Sequence, residues 1–395
     1  MLQRELFFKH LAQTSPAPLG LEIIRAEGLY LYDVTGKKYL DAIGGISVCN
    51  TGHRHPDVIS AIKDQSDRYL HVLVYGELIQ SPQVEYAHML AGYLPEKLQS
   101  VYFTNSGTEA TEGAMKLAKR VTGRTEIVGF EYSYHGSTQG ALSLMGDEYW
   151  RNAFRPLLPG ISHLKYNNLA DLDRITEKTA CVFAETVQAE NAVIKPSKEW
   201  IRALRKKCDE AGALLVLDEI QVGFGRTGSL WGFEQYGIVP DILLLGKALG
   251  GGLPLGAFVS SKTLMDSFTH QPVLGHITTF GGHPLSCAAG LAAMKVLHRE
   301  KLVDSVAEKE NLFQERLVHP SIKSVRSAGL LIAVEFGNFE INKRIIDGCI
   351  QDGLLTDWFL FAPACLRIAP PLTIALEEVE EICRILLLNI ERFGK

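Results

Sequence analysis

The sequence predicts an α/β protein: a mainly parallel sheet sandwiched by helices, completed by a smaller α+β domain. Three observations carry this. Short apolar runs recur through the middle of the chain, at residues 101–103, 127–130, 181–184, 214–217 and 242–245. Each is rich in β-branched residues, aromatics or leucine and is followed by polar or glycine-rich sequence, as in strands buried on both faces of a parallel sheet. Segments of helical period lie between them, and the two ends of the chain read differently, as a smaller α+β domain.

In chain order, residues 29–40 (LYLYDVTGKKYL) predict a hairpin turning at Thr35-Gly36. Ala110, Ala114, Leu117, Ala118 and Val121 fall on one helix face. Glu109 and Glu112 sit in its first turn and Lys116, Lys119 and Arg120 toward its end, so the charges complement the helix dipole. A second helix carries Ile201, Leu204, Cys208 and Ala211 and is closed by Gly212. Residues 325–336 and 366–374 predict further short strands. Val379, Ile382, Leu386, Ile390 and Phe393 line a last amphipathic helix. The expected division is 1–49 as the N-terminal segment of the small domain, 50–290 as the large α/β domain, and 291–395 as the rest of the small domain.

At 395 residues the chain is long enough for two or three domains, and 46% hydrophobic with 22% charged residues is an ordinary globular balance. The net charge of -5, with both signs mixed along the chain, argues against a nucleic-acid footprint or a polybasic membrane patch. The seven cysteines are scattered without a CxxC pair, which points to a reducing compartment and no structural metal. The pair in His53-Arg54-His55 is spaced i, i+2 and does not suit two ligands on one helix face. The stretch MLQRELFFKHLAQTSPAP has no long apolar region or small-residue cleavage site, and no apolar run approaches membrane-spanning length. A cytoplasmic location is expected.

In an open α/β sheet, ligands bind beyond the carboxyl ends of the strands, so the residues just after each apolar run matter most. The first run is followed by Asn105-Ser106-Gly107-Thr108, opening a helix at Glu109, where the segment is either an anion site at the helix N-terminus or a plain N-cap by Thr108. After the second comes Tyr132-Ser133-Tyr134-His135-Gly136, with an aromatic able to stack on a flat ring. Glu185, Gln188 and Glu190 follow the third, and Asp218-Glu219-Ile220-Gln221 the fourth. The fifth delivers Lys247 with Gly250-Gly251-Gly252 behind it. A buried strand-end carboxylate or amine needs compensation, or is there to react. An anion cradle, a stacking aromatic, a carboxylate and a desolvated lysine are what a phosphorylated heteroaromatic aldehyde requires.

The block LLVLDEIQVGFGRTG…DILLLGKALGGGLPLGA, with NSGTEA, YHGST, GHRHP and TTFGGHPLSCAAG, resembles the class III pyridoxal-phosphate-dependent aminotransferases of fold type I. The resemblance spans residues from about 28 to 371. It implies a seven-stranded type of sheet and pyridoxal 5'-phosphate as cofactor. Lys247 would attach the cofactor and shuttle the proton, and Asp218 would meet the pyridine nitrogen. Ile220 and Tyr134 would sandwich the ring, and Gln221 would approach its phenolic oxygen. Ser106, Gly107 and Thr108 would hold the phosphate in one subunit, and Thr279 would reach that of its neighbour, implying a homodimer with active sites at the interface. His135 receives no proton-transfer role. The small-molecule partners implied are an amine donor and an oxo acid acceptor.

Members acting on ornithine, acylornithine or 4-aminobutyrate carry a carboxylate-binding arginine late in the chain, matched here by Arg367 in CLRIAPPL. Its guanidinium fork pairs bidentately with carboxylates. Their gating glutamate is matched by Glu190 in Gln188-Ala189-Glu190, with alanine where they have glycine. The sequence departs from them at Ser137, where they often have a second arginine, and at Ile46, where ornithine-specific members have a tyrosine. Ser137 resembles the amine and ω-amino acid:pyruvate transaminases more closely. Arg151 or Arg155 would be a substitute for the missing arginine. Dehydrogenase and nucleotide-binding readings fail on spacing: no GxGxxG follows a strand, and Ser229 stands where a P-loop needs lysine. No GxSxG supports a serine hydrolase. A mutase, decarboxylase or phospholyase would share the cofactor residues.

Overall fold

Apolar runs too short to be helices satisfy their backbone only by pairing edge to edge. In the computed structural model, which describes residues 2–394, they build one large sheet between two small ones. The chain opens with β1 (Ile23–Glu27), β2 (Tyr30–Asp33) and β3 (Lys38–Asp41), an antiparallel meander. The turn between β2 and β3 is held by Asp33, whose Oδ1 accepts from the amides of Thr35 and Lys37.

The central sheet contains β4 (Ser100–Thr104), β5 (Glu126–Phe130), β6 (Ile161–Leu164), β7 (Thr179–Glu185), β8 (Leu214–Asp218), β9 (Ile242–Leu245) and β10 (Gly256–Ser260). Their order is β4-β10-β9-β8-β7-β5-β6. Only β10 runs against its neighbours; β5 to β9 are parallel. Side chains alternate between two cores. Ile127, Phe183, Val216 and Leu244 meet Ala110, Ala114 and Leu117 of the helix Gly107–Thr122 on one face. Val128, Val182, Leu215 and Leu243 meet Trp200, Ile201, Leu204 and Cys208 of the helix Lys198–Ala211 on the other. In this sheet two strands are absent from the sequence reading: β6, an edge strand with polar Ser162 and His163, and β10, which starts at a glycine separated from the glycine run by three residues.

The end of the chain adds β11 (Ser324–Ala328), β12 (Leu331–Glu335), β13 (Leu354–Leu355), β14 (Asp357–Phe359) and β15 (Ala362–Ile368). A four-stranded sheet runs β11-β12-β15-β14, and β13 joins the first sheet beside β3, so both ends of the chain share one sheet. The strand expected over 366–374 stops at Ile368, because Pro370 and Pro371 have no amide to donate. The boundary expected at 290 falls inside the helix Pro284–Arg299, which buries Ala289 and Ala293 against Val58.

Arg226 joins these parts. Its side chain is fully buried, and its acceptors are the carbonyls of Leu330 (2.9 Å) and Pro370 (2.6 Å) and Asn50 Oδ1 (2.6 Å). Burial among uncharged acceptors pulls its pKa down to about 9. Arg226→Ala strands those three acceptors, so the midpoint of urea unfolding should fall by an amount worth about 3 kcal/mol. Comparing unfolding curves of the two apoproteins tests this.

Candidate active site

Parallel neighbours deliver their last residues to the same edge. Glu185 pairs with Asp218 in the β7–β8 register and Asp218 with Leu244 in β8–β9, so Lys247 emerges three residues further on beside both. Lys247 opens a 3-10 turn to Gly250 with a left-handed φ of 48°, a backbone state that costs a non-glycine residue about 1 kcal/mol. The glycines behind it have a packing reason. A Cβ at Gly251 (φ 59°) would sit 2.6 Å from the carbonyl oxygen of Ala289.

Lys247 Nζ donates to Gln221 Oε1 at 2.9 Å. Burial lowers the pKa of the amine, against the opposing pull of Glu190 and Asp218. Asp218 is held on both oxygens: Oδ1 accepts from the Ile220 amide at 2.9 Å, and Oδ2 lies 2.7 Å from His135 Nδ1. His135 is itself buried. Burial alone would pull its pKa down, but the hydrogen bond and charge of Asp218 outweigh it and the net shift is upward. Its Nε2 has no partner among the described residues, nor has Gln221 Nε2.

Glu185 spans two loops. Its Oε1 accepts from the Tyr134 amide and its Oε2 from the Ala189 amide, both at 3.0 Å. Burial pushes its carboxyl up to about 7. Tyr134 Oη is 3.0 Å from Ser137 Oγ. Ser106, not Thr108, caps the helix Gly107–Thr122, accepting from the Glu109 amide, which leaves Thr108 Oγ1 with Thr138 Oγ1 at 2.8 Å. The first amides of that helix have no partner inside it and face an anion favourably.

A second polar group borders this one. Arg367 on β15 forks onto Glu190, with Nη1–Oε1 at 2.8 Å and Nη2–Oε2 at 2.9 Å. Burial would raise the pKa of Glu190, but Arg367 more than offsets it and the net shift is down. Leu360 donates its amide to Glu190 Oε2.

A cavity of about 310 Å³ lies among these groups, within the range of small-molecule sites. Its lining includes Gly107, Thr108, Tyr134, Ser137, Glu190, Asp218, Ile220, Gln221 and Lys247, nine of the residues expected from the sequence. Arg367 stands behind Glu190, while Ser106 is taken up by capping and Thr279 is exposed in the loop before Pro284. Ile46, in a left-handed turn at φ 62°, does not line the cavity. Arg151 and Arg155 both bind Glu148 and do not replace the missing arginine. Of the five other lining residues, two are titratable and had no assigned role, His135 and Glu185. Glu185 was open to the same strand-end rule that singled out Asp218.

The cavity fits a flat phosphorylated cofactor on its own terms. A Cβ at Gly107 would come 2.7 Å from Ile220 Cδ1, so glycine there lets Ile220 lie against the helix N-terminus without shifting. The unpartnered Nε2 atoms of Gln221 and His135 and the strand-end pair Asp218 and Lys247 supply polar groups around that space.

Comparison with known proteins agrees. The family described as Aminotransferase class-III matches residues 11–390. An acetylornithine aminotransferase of Methanopyrus kandleri is 38% identical over 384 residues, covering 96% of each chain. The ornithine aminotransferase structure from Toxoplasma gondii superposes with a TM-score of 0.89 at 29% identity, covering 99% of this chain and 94% of that one. A thermostable (S)-enantioselective omega-transaminase from Thermomicrobium roseum superposes at 0.91 with 27% identity, covering 98% and 97%.

The buried carboxyls give a direct check. Glu185 and Glu219, both pushed up to about 7 by burial, should stay protonated where ordinary carboxylates are ionised. Infrared titration of the apoprotein should show protonated carboxyl bands at about pH 6 that vanish with a midpoint near 7. Glu185→Gln should remove part of that signal.

Proposed function

The chain belongs to the class-III aminotransferases, which use pyridoxal 5'-phosphate, and on that premise we propose that it moves the terminal amine of an ω-amino acid to an oxo acid. The donor is of the ornithine, acylornithine or 4-aminobutyrate type, the acceptor we place first is 2-oxoglutarate, and the two half-reactions run in turn. One observation carries this reading: an arginine masked by a bidentate glutamate borders the cavity that holds Lys247. With Glu190 on Arg367 the site takes a donor whose reacting end bears no carboxylate. With Glu190 turned away, the same arginine takes the carboxylate of the oxo acid.

When bound, the cofactor supplies an aldehyde that condenses with amines and a ring that delocalises the electron pair left at the substrate carbon. The protein does the rest. The amides of Gly107 and Thr108 take the phosphate at the positive end of their helix. Tyr134 and Ile220, on the cavity lining, would hold the ring, and Gln221 would offer its side chain to the ring's oxygen. Asp218 keeps the ring nitrogen protonated, and His135, fixed on Asp218 Oδ2, sets the direction in which the carboxylate faces. Lys247 would be the attachment point, and its Nζ would be the base that takes the proton from the donor's amine-bearing carbon. The lowered pKa of that amine keeps a share of it neutral for the task.

A second reading has its own support. Ser137 pairs with Tyr134 Oη on the wall where a second arginine would grip a dicarboxylate, which suits an amine or ω-amino acid:pyruvate transaminase. The functional unit we propose is a homodimer in which Thr279 of a second copy completes the phosphate site. The segments that would meet expose Leu78, Ile79 (96% exposed), Val273, Ile277 and Phe280. We place the enzyme in the cytoplasm, which suits seven cysteines that are all free. No described helix is long and apolar enough to cross a membrane.

The test is the visible spectrum of the holoenzyme during titration with single donors, from ornithine and N-acetylornithine to 4-aminobutyrate and a simple amine. One donor should bleach the yellow form without an oxo acid, and Lys247→Ala should lose the yellow form and at least about 10³-fold in turnover. A yellow enzyme that no donor bleaches would sink the transaminase reading. Ser137→Arg should raise kcat/KM for 2-oxoglutarate over pyruvate by about tenfold, the value of one charge-assisted pair.

A further inference from the structure

Arg367 answers to two acids. Asp357 on β14 stands opposite it in the antiparallel β14–β15 register, with Oδ1 3.0 Å from Arg367 Nε. The guanidinium is thus divided by edge: both terminal nitrogens fork onto Glu190, Nε faces Asp357, and the Phe359 ring covers one face at 4.6 Å from the centroid. Trp358 accepts from Nη2 with its carbonyl at 3.0 Å. Two carboxylates against one guanidinium leave the group with surplus negative charge. Arg367 and Glu190 have side chains only 3% and 6% exposed, against 27% for Asp357.

If Glu190 turns away, the fork opens toward the cavity while Nε keeps its acid. We propose that Asp357 sets the affinity of the Arg367 pocket for the acceptor's carboxylate, its charge beside Nε, when ionised, taking the emptied pocket from positive to neutral. This rests on the reading of Arg367 as the acceptor's anchor and adds the residue that tunes it. Charged or titratable groups facing Asp357 are Arg367, Glu190 and Asp41, the last paired with His53 at 2.8 Å. Burial, opposed by Arg367 and reinforced by Glu190 and Asp41, pushes the Asp357 carboxyl up to about 6. Arg367 keeps its charge and Glu190 stays ionised, so Asp357 is the member of the trio that changes charge in this range. Below about 6 it is neutral and the pocket attracts carboxylates; above, affinity falls.

The experiment is calorimetric binding of glutarate, an unreactive carboxylate, to the holoenzyme from about pH 5 to about pH 8. In the wild type, Kd should rise through a midpoint near 6. Asp357→Asn, which keeps the shape and removes the charge, should abolish that dependence. It should bind about tenfold tighter at the alkaline end, the effect of one charge roughly 6 Å away at an intermediate dielectric. Its KM for pyruvate and 2-oxoglutarate should drop in parallel, and the KM for a neutral aldehyde acceptor should not follow. Asp357→Glu should keep the pH dependence. A flat wild-type profile, or equal KM changes for oxo acids and the neutral aldehyde, overturns the proposal. Equal glutarate affinity in wild type and Arg367→Met would instead overturn the reading of Arg367.

Discussion

A buried cation that has only neutral partners depends on acceptors from every segment around it, and Arg226 imposes that condition on this fold through its two terminal nitrogens. Its acceptors come from the N-terminal segment (Asn50) and from two separate places in the C-terminal half (Leu330 and Pro370). Sliding the small sheets over the large one would strand a guanidinium in an apolar interior, at several kcal/mol. Asn50 reinforces the joint by donating to the Phe224 carbonyl and accepting from the Leu372 amide. With that joint closed, β15 is held where Arg367 meets Glu190, on a loop that leaves the central sheet after β7.

The same reasoning runs through the site. Parallel strands aim their carboxyl ends at one place, and burial there pushes acids and amines in opposite senses: Glu185 upward to about 7, Lys247 downward. Each group is then corrected by a specific neighbour. Asp218 draws His135 upward, and Arg367 draws Glu190 downward. What results is a nearly dry set of acids around an amine whose pKa burial lowers, the direction that lysine-centred proton transfer needs. Glu185 also ties the Tyr134 loop to the Ala189 loop, so the aromatic that faces the cavity and the glutamate that masks Arg367 share one anchor.

Much of this was legible because it is local. Runs such as 214–217 announce buried strands, and the residue following each run sits at the sheet edge, which is how Asp218 and Lys247 stand out. The missed strands have weak local signals: β6 alternates polar residues at an edge, and β10 follows a glycine run that reads as a loop. The cap was assigned to Thr108 where Ser106 makes it, because one-residue shifts at a helix start leave no trace in composition. Ile46 was placed at the site by position in a motif; it sits in a left-handed turn and is not among the residues lining the cavity of the single chain.

By itself the sequence determined the fold class, the order of the central strands' chemistry, and the identity of the lysine, the carboxylate and the arginine, since each depends on residues within a few positions of one another. Only the tertiary structure decided which charges meet. That Arg367 is shared by Glu190 and Asp357, that His135 rather than solvent backs Asp218, and that Arg226 has no acid beside it among its hydrogen-bond partners all depend on approaches between distant segments. In a buried site the energy of a charge is set by those few neighbours and by the absence of water. Neither is written in local pattern.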